Sequence, residues 1–204
     1  GKRLSLVSIF IACTNNMDIL LVGHFLGPSV LAVYYVALTI PKNGVLMLSV
    51  IARVALPKLS QKEWTREERR IMLKKIALLL AILCVPAALY SGIIPFVLPL
   101  FFKTFSASLP AAILLGAILI VSPVNAVVGQ ILQARQHIRG IIILEIVSFL
   151  SFTIIFLAVY ARLGALGAAV ALIGGETITL VAGLILTQME VREAPRTLAD
   201  TLPS

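Results

Sequence analysis

Polar and apolar positions alternate along this chain on the scale of whole helices. Six apolar stretches, at 4–26, 30–52, 76–102, 109–134, 138–161 and 165–188, are separated by short polar or glycine-containing turns. A bilayer core of about 30 Å needs about 20 apolar residues in a helix, and each stretch meets that length. The runs are several times longer than a strand, and no period-2 alternation persists through them. The pattern therefore predicts an all-α, polytopic membrane protein with six transmembrane helices. Two stretches, 76–102 and 109–134, contain no charged side chain. The other four enclose Asp18, Lys42, Glu145 and Glu176.

Glycine and proline punctuate the turns. Gly27 and Pro28 break the first pair of helices, Gly164 the last, and 103–108 separates the third span from the fourth. Only 57–75 is long enough for another element. Ser60 with Glu63 and Thr65 with Glu68 form two capping boxes there. They predict a helix near 60–75 lying in the cytoplasmic interface, with Trp64 at headgroup level. The organisation expected is a six-helix lobe over 1–188 and a polar cytoplasmic tail over 189–204, with Pro195 and Pro203 in the tail.

Composition narrows the class further. The chain has 204 residues, 60% of them hydrophobic and 13% charged, with a mean hydropathy of +1.06. Too few polar residues remain to clothe a water-soluble surface. The net charge of +8 raises nucleic acid as a partner, but the placement of the charges argues against it. With the amino end cytoplasmic, fourteen basic residues fall on inner flanks, eight of them between Arg53 and Lys75, against Lys103 and Arg162 outside. That is a positive-inside pattern, which reports membrane topology and anionic headgroups. Both termini are then cytoplasmic. Cys13 and Cys84 lie in apolar runs and read as buried small hydrophobes. Gly1 opens the chain, and no small-residue cleavage site follows Lys2 and Arg3, so the expectation is a piece of a longer protein.

The ionisable residues inside the spans carry the candidate chemistry, because a charge at the bilayer centre costs about 2.5–3.5 kcal/mol and must face protein or water. Ser8, Ala12, Asn15 and Asp18 form one stripe, with Asn16 beside it. Thr39, Lys42 and Asn43 surround Pro41, which is expected to kink its helix, and Arg53 sits nearer the inner mouth. Counting from the turn, Asp18 and Lys42 differ in depth by ~9 Å at ~1.5 Å per residue, within reach of an extended lysine and a bridging water. A structural ion pair and a hydrated substrate cavity both fit, and the extra asparagines favour the cavity. Candidate cavity residues are thus Asn15, Asp18, Lys42, Asn43 and Arg53. Glu145 favours interhelical hydrogen bonding over transport, Glu176 suits either, and both join Asp18 as candidate ion-coupling groups. Ser122, Asn125, Gly129 and Gln133 form one stripe, and Gly167, Ala171, Gly175, Thr179 and Gly183 another; helix packing explains both.

Enzyme signatures are missing. There is no P-loop, dinucleotide fingerprint or nucleophile elbow, and His24 and His137 fall on opposite sides of the membrane. The expectation is a non-enzyme without metal or cofactor.

Several segments resemble a known family. The run from Asp18 to Gly27, with Gly23 and Gly27 near the turn and Tyr34 and Tyr35 in the next helix, resembles the seventh and eighth helices of polysaccharide flippases. Pro57 and Ser60 match the Pro-x-x-Ser exit. Residues 131–139 are similar to the loop between helices ten and eleven, and 163–171 to the start of the twelfth. The resemblance spans about 4–186, with departures at Phe101-Phe102-Lys103 and at Ser148 and Ser151. It is to the multidrug/oligosaccharidyl-lipid/polysaccharide exporter superfamily, in its O-antigen and capsule flippase branch. It implies the carboxyl-terminal lobe of a two-lobe, MATE-like fold in the bacterial inner membrane, completed by an amino-terminal six-helix lobe or a second copy. The implied activity is alternating-access flipping of polyprenyl-diphosphate-linked oligosaccharide, coupled to H⁺ or Na⁺. Lys42 and Arg53 would attract the diphosphate, and Asp18 would take the cation. A multidrug exporter of the same superfamily is the nearest alternative; a membrane-embedded enzyme of lipid-linked glycan metabolism and a helical assembly factor are more distant ones.

Overall fold

In hydrocarbon every backbone N–H and C=O must find its partner within the chain, which for runs of this length means helix. The computed structural model describes residues 14, 16–55, 66–101, 108–134 and 138–199, with the backbone course alone at 48–55, 66–73, 134 and 188–199. The described residues form α1 (Met17–Ala55), α2 (Arg66–Phe101), α3 (Leu109–Leu115), α4 (Ile118–Ala134) and α5 (Ile138–Ala199). Four helical stretches are long and apolar enough to cross a membrane: Met17–Met47, Lys74–Phe101, Leu109–Gln133 and Ile138–Thr187.

Two of these are hairpins. Were it straight, the stretch Ile138–Thr187 would run about 75 Å, more than twice the hydrocarbon thickness. It folds back at Gly164, whose φ of 52° and ψ of −127° are the one departure from helical dihedrals in α5. Contacts between its two arms give the register. A Cβ at Gly174 would lie 2.8 Å from Ile155 Cδ1, one at Gly175 would lie 3.2 Å from the Phe152 backbone nitrogen, and one at Gly183 would lie 3.5 Å from Leu144. Each pair is nearly equidistant from Gly164, as antiparallel arms require. In α1, Gly27 (φ 81°, ψ 171°) plays the same part. Gly23 packs on Leu31, and Tyr34 reaches Asp18. Residues with side chains rarely adopt either backbone conformation, and Pro28 suits the first turn of the returning arm.

Small residues explain the closeness of the α5 arms. Gly167, Gly175 and Gly183 occupy the stripe expected to pack, and a side chain at any of them would meet its neighbours. A third interruption is at Gly116-Ala117, between α3 and α4, where the amides of Gly116 and Ala117 turn back three residues to Ile113 and Leu114 at 3.1 and 3.0 Å. Tyr90 and Ser91 of α2 approach Gly116 closely there.

The core has two parts. One lies toward the Gly27 and Gly164 turns and joins Val22, Tyr34, Leu98, Leu115, Phe156 and Ala168. Phe25 meets Tyr160 at 5.3 Å between ring centroids, so both turns sit at the same end of the bundle. The second part, at the opposite end, joins Leu83, Val124, Val128, Leu132, Leu144 and Leu180. Lys74, Lys75 and Arg139 are exposed toward that end, and Arg162 is exposed beside Gly164. Outside, Leu78, Ile82, Val85, Leu89, Ile93 and Phe96 line one face of α2, each more than half exposed. Hydrocarbon is the surrounding that such a strip suits.

Several expectations change. Residues 66–75 form the start of α2 without a break before the third span; 60–65, including Trp64, lie outside the described residues. Helical dihedrals continue through Pro41, and the non-helical residue of α1 is Gly27, where the turn was expected. Cys84 is exposed rather than buried, because α2 turns that face outward. The helical backbone of α5 continues to Ala199, into the stretch read as a tail. Residues 4–13 and 15 of the first span lie outside the described residues.

The hairpin geometry makes a testable contrast. Gly175→Val should destabilise the protein by about 1–3 kcal/mol through overpacking against the Phe152 backbone. Gly92→Val, where a Cβ meets nothing within 4 Å, should be near neutral. Gly27→Ala has equally open space but should cost about 1–3 kcal/mol from the backbone alone. Thermal unfolding in detergent checks all three.

Candidate functional site

Polar side chains that apolar spans cannot expose to lipid have been gathered inward. Between α1, α4 and α5 lies a cavity of about 790 Å³. α1 contributes Asp18 and Lys42 to its wall, with Thr14 and Asn16 just before the helix. α4 contributes Ser122, Asn125, Gln130 and Gln133, and α5 contributes Glu145 and Ser148 from one arm and Glu176 and Thr179 from the other. Phe149 and Phe152 supply apolar surface. All four ionisable side chains singled out within the spans thus share one wall.

Asp18 is the most buried of them, at 6% exposure. The hairpin brings Tyr34 opposite it, and the phenol Oη donates to Asp18 Oδ2 at 3.0 Å. Asp18 Oδ1 is buried and accepts no hydrogen bond among the described residues. Such an oxygen is costly to leave unpaired. Glu176 is held differently. The Asn125 side-chain amide donates to the Glu176 backbone carbonyl at 2.9 Å and also to its carboxylate. One amide therefore fixes both the returning arm of α5 and its carboxyl group against α4. Among the described residues, no three His, Cys, Asp or Glu side chains converge closely enough to hold a metal ion. Asp18 and Glu176 are thus separately held carboxylates facing one space.

Not every expected site residue belongs here. Asn43 is exposed and off the cavity wall, because it follows Lys42 around the helix. Asn15 lies outside the described residues, as does the side chain of Arg53. Glu145 faces the cavity, as Lys42 does, and both are half-buried. The α4 stripe, read as packing, instead presents Ser122, Asn125, Gly129 and Gln133 to the cavity. Amides in an apolar helix were the available signal, since they need partners that hydrocarbon does not supply. Ser151, by contrast, turns its hydroxyl back to Val147 O at 2.6 Å. Tyr34 was missed altogether. Counting outward from Gly27 places it nearly opposite Asp18, closer in register than Lys42.

Residues 1–101 match the family model described as polysaccharide biosynthesis protein. The match supports the polysaccharide biosynthesis family. It covers the described parts of α1 and α2, and so Asp18, Tyr34 and Lys42, while the α4 and α5 wall lies beyond it. No curated protein and no solved structure matches the chain.

The Asp18–Tyr34 contact can be tested by a double-mutant cycle with Tyr34→Phe and Asp18→Asn. Tyr34→Phe should cost about 1–3 kcal/mol, because it leaves a buried carboxylate without its donor. The two changes together should cost less than their sum by about 0.5 kcal/mol or more. Additive losses in detergent denaturation would show that the two groups do not act on each other.

Proposed function

We propose that this chain is one lobe of a membrane transporter that flips polyprenyl-diphosphate-linked oligosaccharide across the bacterial inner membrane. The observation that carries this reading is the convergence of Asp18, Lys42, Glu145 and Glu176 on one cavity, in a chain whose first half matches a polysaccharide biosynthesis family. Membrane helices do not hide four ionisable groups around a shared space for stability, since apolar packing would serve as well. A polar path for a polar cargo does require them.

In this mechanism the cytoplasmic face opens first, with the basic end of the bundle inside. Lys42 offers an ammonium to the diphosphate, a point charge on a flexible stem suited to a moving phosphate. Arg53 lies on the same helix nearer the entrance and adds to the attraction. Asp18, Glu145 and Glu176 bind H⁺ or Na⁺, and the change in their charge biases rocking of this lobe against its partner. The partner is an amino-terminal six-helix lobe or a second copy. The two glycine hairpins supply two of the five reversals that six crossings need, with α3 and α4 acting as one crossing and both chain ends cytoplasmic. The lobe is a transporter and not an enzyme, and it takes no cofactor beyond the coupling ion.

Lys42→Ala in the full-length protein should lower movement of a labelled polyprenyl-diphosphate glycan in proteoliposomes by about tenfold or more, the scale of one lost charge-assisted contact. Lys42→Arg should retain most of it. Wild-type rates in Lys42→Ala would remove the diphosphate role. Three carboxylates against one lysine on the wall give some weight to a second reading, a cation-coupled multidrug exporter. Efflux of a cationic dye that depends on Asp18, without glycan movement, would favour that reading.

A further inference from the structure

The cavity wall is unbalanced in charge, and its balance bears on which glycan it admits. Among the described residues, Lys42 is the cationic side chain on the wall, against the carboxyl groups of Asp18, Glu145 and Glu176. If Lys42 meets the diphosphate, nothing cationic on this wall remains for a second anion. Protonation of the carboxyl groups would remove their charge but add no second cation beside Lys42.

The uncharged polar part of the wall suits hydroxyls. Gln130, Gln133 and Ser148 can each donate and accept, while Asn125 and Thr179, whose protons go to Glu176 and Gly175, can still accept. Phe149 and Phe152 add the apolar surface on which a sugar ring's C–H face can rest. Asp18 supplies an independent sign that a ligand is expected. It is 6% exposed, it stands on the cavity wall, and its Oδ1 has no hydrogen-bond donor among the described residues. A buried acceptor of this kind calls for an O–H or N–H donor and repels a carboxylate.

We propose that the wall formed by α1, α4 and α5 selects the glycan by charge, accepting neutral or amine-bearing sugars and rejecting acidic ones. This inference rests on the flippase reading and specifies its substrate class. The three carboxyl groups accept hydroxyl or ammonium donors, the amides of Gln130 and Gln133 complete the hydrogen bonds, and a uronate meets like charge once Lys42 holds the diphosphate.

The test uses the purified full-length protein and three synthetic polyprenyl-diphosphate disaccharides that differ at the terminal sugar. One ends in a neutral hexose, one in a hexosamine with a free amine, and one in a hexuronic acid. Binding is measured directly, so a variant that loses ion coupling still reports. The amine and neutral probes should bind at least about tenfold more tightly than the uronate probe. Glu145→Gln and Glu176→Gln should each narrow that ratio. Gln130→Lys should narrow it too, with every native carboxyl group in place. Equal binding of the three probes by the wild type, or an unchanged ratio in all three variants, would overturn charge selection and leave the flippase reading standing. Failure of all three probes to bind would overturn both.

Discussion

Hydrocarbon supplies neither hydrogen-bond donors nor acceptors, and the rest of this structure follows from that absence. The backbone answers it with helices. Small hydroxyl side chains answer it locally: Thr177 and Thr179 bond back to Ile173 and Gly175 at 2.7 and 2.8 Å, and Thr187 to Leu184 at 2.9 Å. Carboxyl, ammonium and amide groups are too demanding for a single turn of helix to satisfy. They must meet one another or water, and the bundle provides one space where both are available.

Two glycines make that space. Gly27 and Gly164 reverse the chain in a single residue each, so the arms on either side lie in close register. Tight reversal brings Tyr34 to Asp18. It also aligns Ser148 with Thr179, which stand at almost equal distances from Gly164 and share the cavity wall. The glycines along the second arm of α5 then let the arms close to backbone contact, as at Gly175 and Phe152. A hairpin packed this tightly leaves its arms little freedom to shift against each other. Asn125 ties that hairpin to α4 through a backbone carbonyl and a carboxylate at once.

The family match covers one half of the chain, and the cavity draws on both. The matched half carries Asp18, Tyr34 and Lys42. The half beyond it brings the amides of α4 and the two glutamates of α5, which turn a charged hairpin into one side of a cavity. Neither half forms the cavity alone, since α1 must lie against both α4 and α5.

Much of this was legible from residue order. Apolar length set the helices, Gly27 and Gly164 marked the reversals, and the rarity of charge within hydrocarbon singled out Asp18, Lys42, Glu145 and Glu176. These are local properties: length, breakers and transfer cost act on each segment whatever its neighbours do. Other features were decided only by tertiary packing. Asn43 was expected at the cavity and faces away, Cys84 was expected inside and faces out, and the α4 stripe was expected to pack and instead lines the cavity. Tyr34 gained its role only because a neighbouring arm arrived opposite it. Which face of a helix turns inward depends on partners far along the chain, and in a membrane an apolar face is equally at home against lipid or protein.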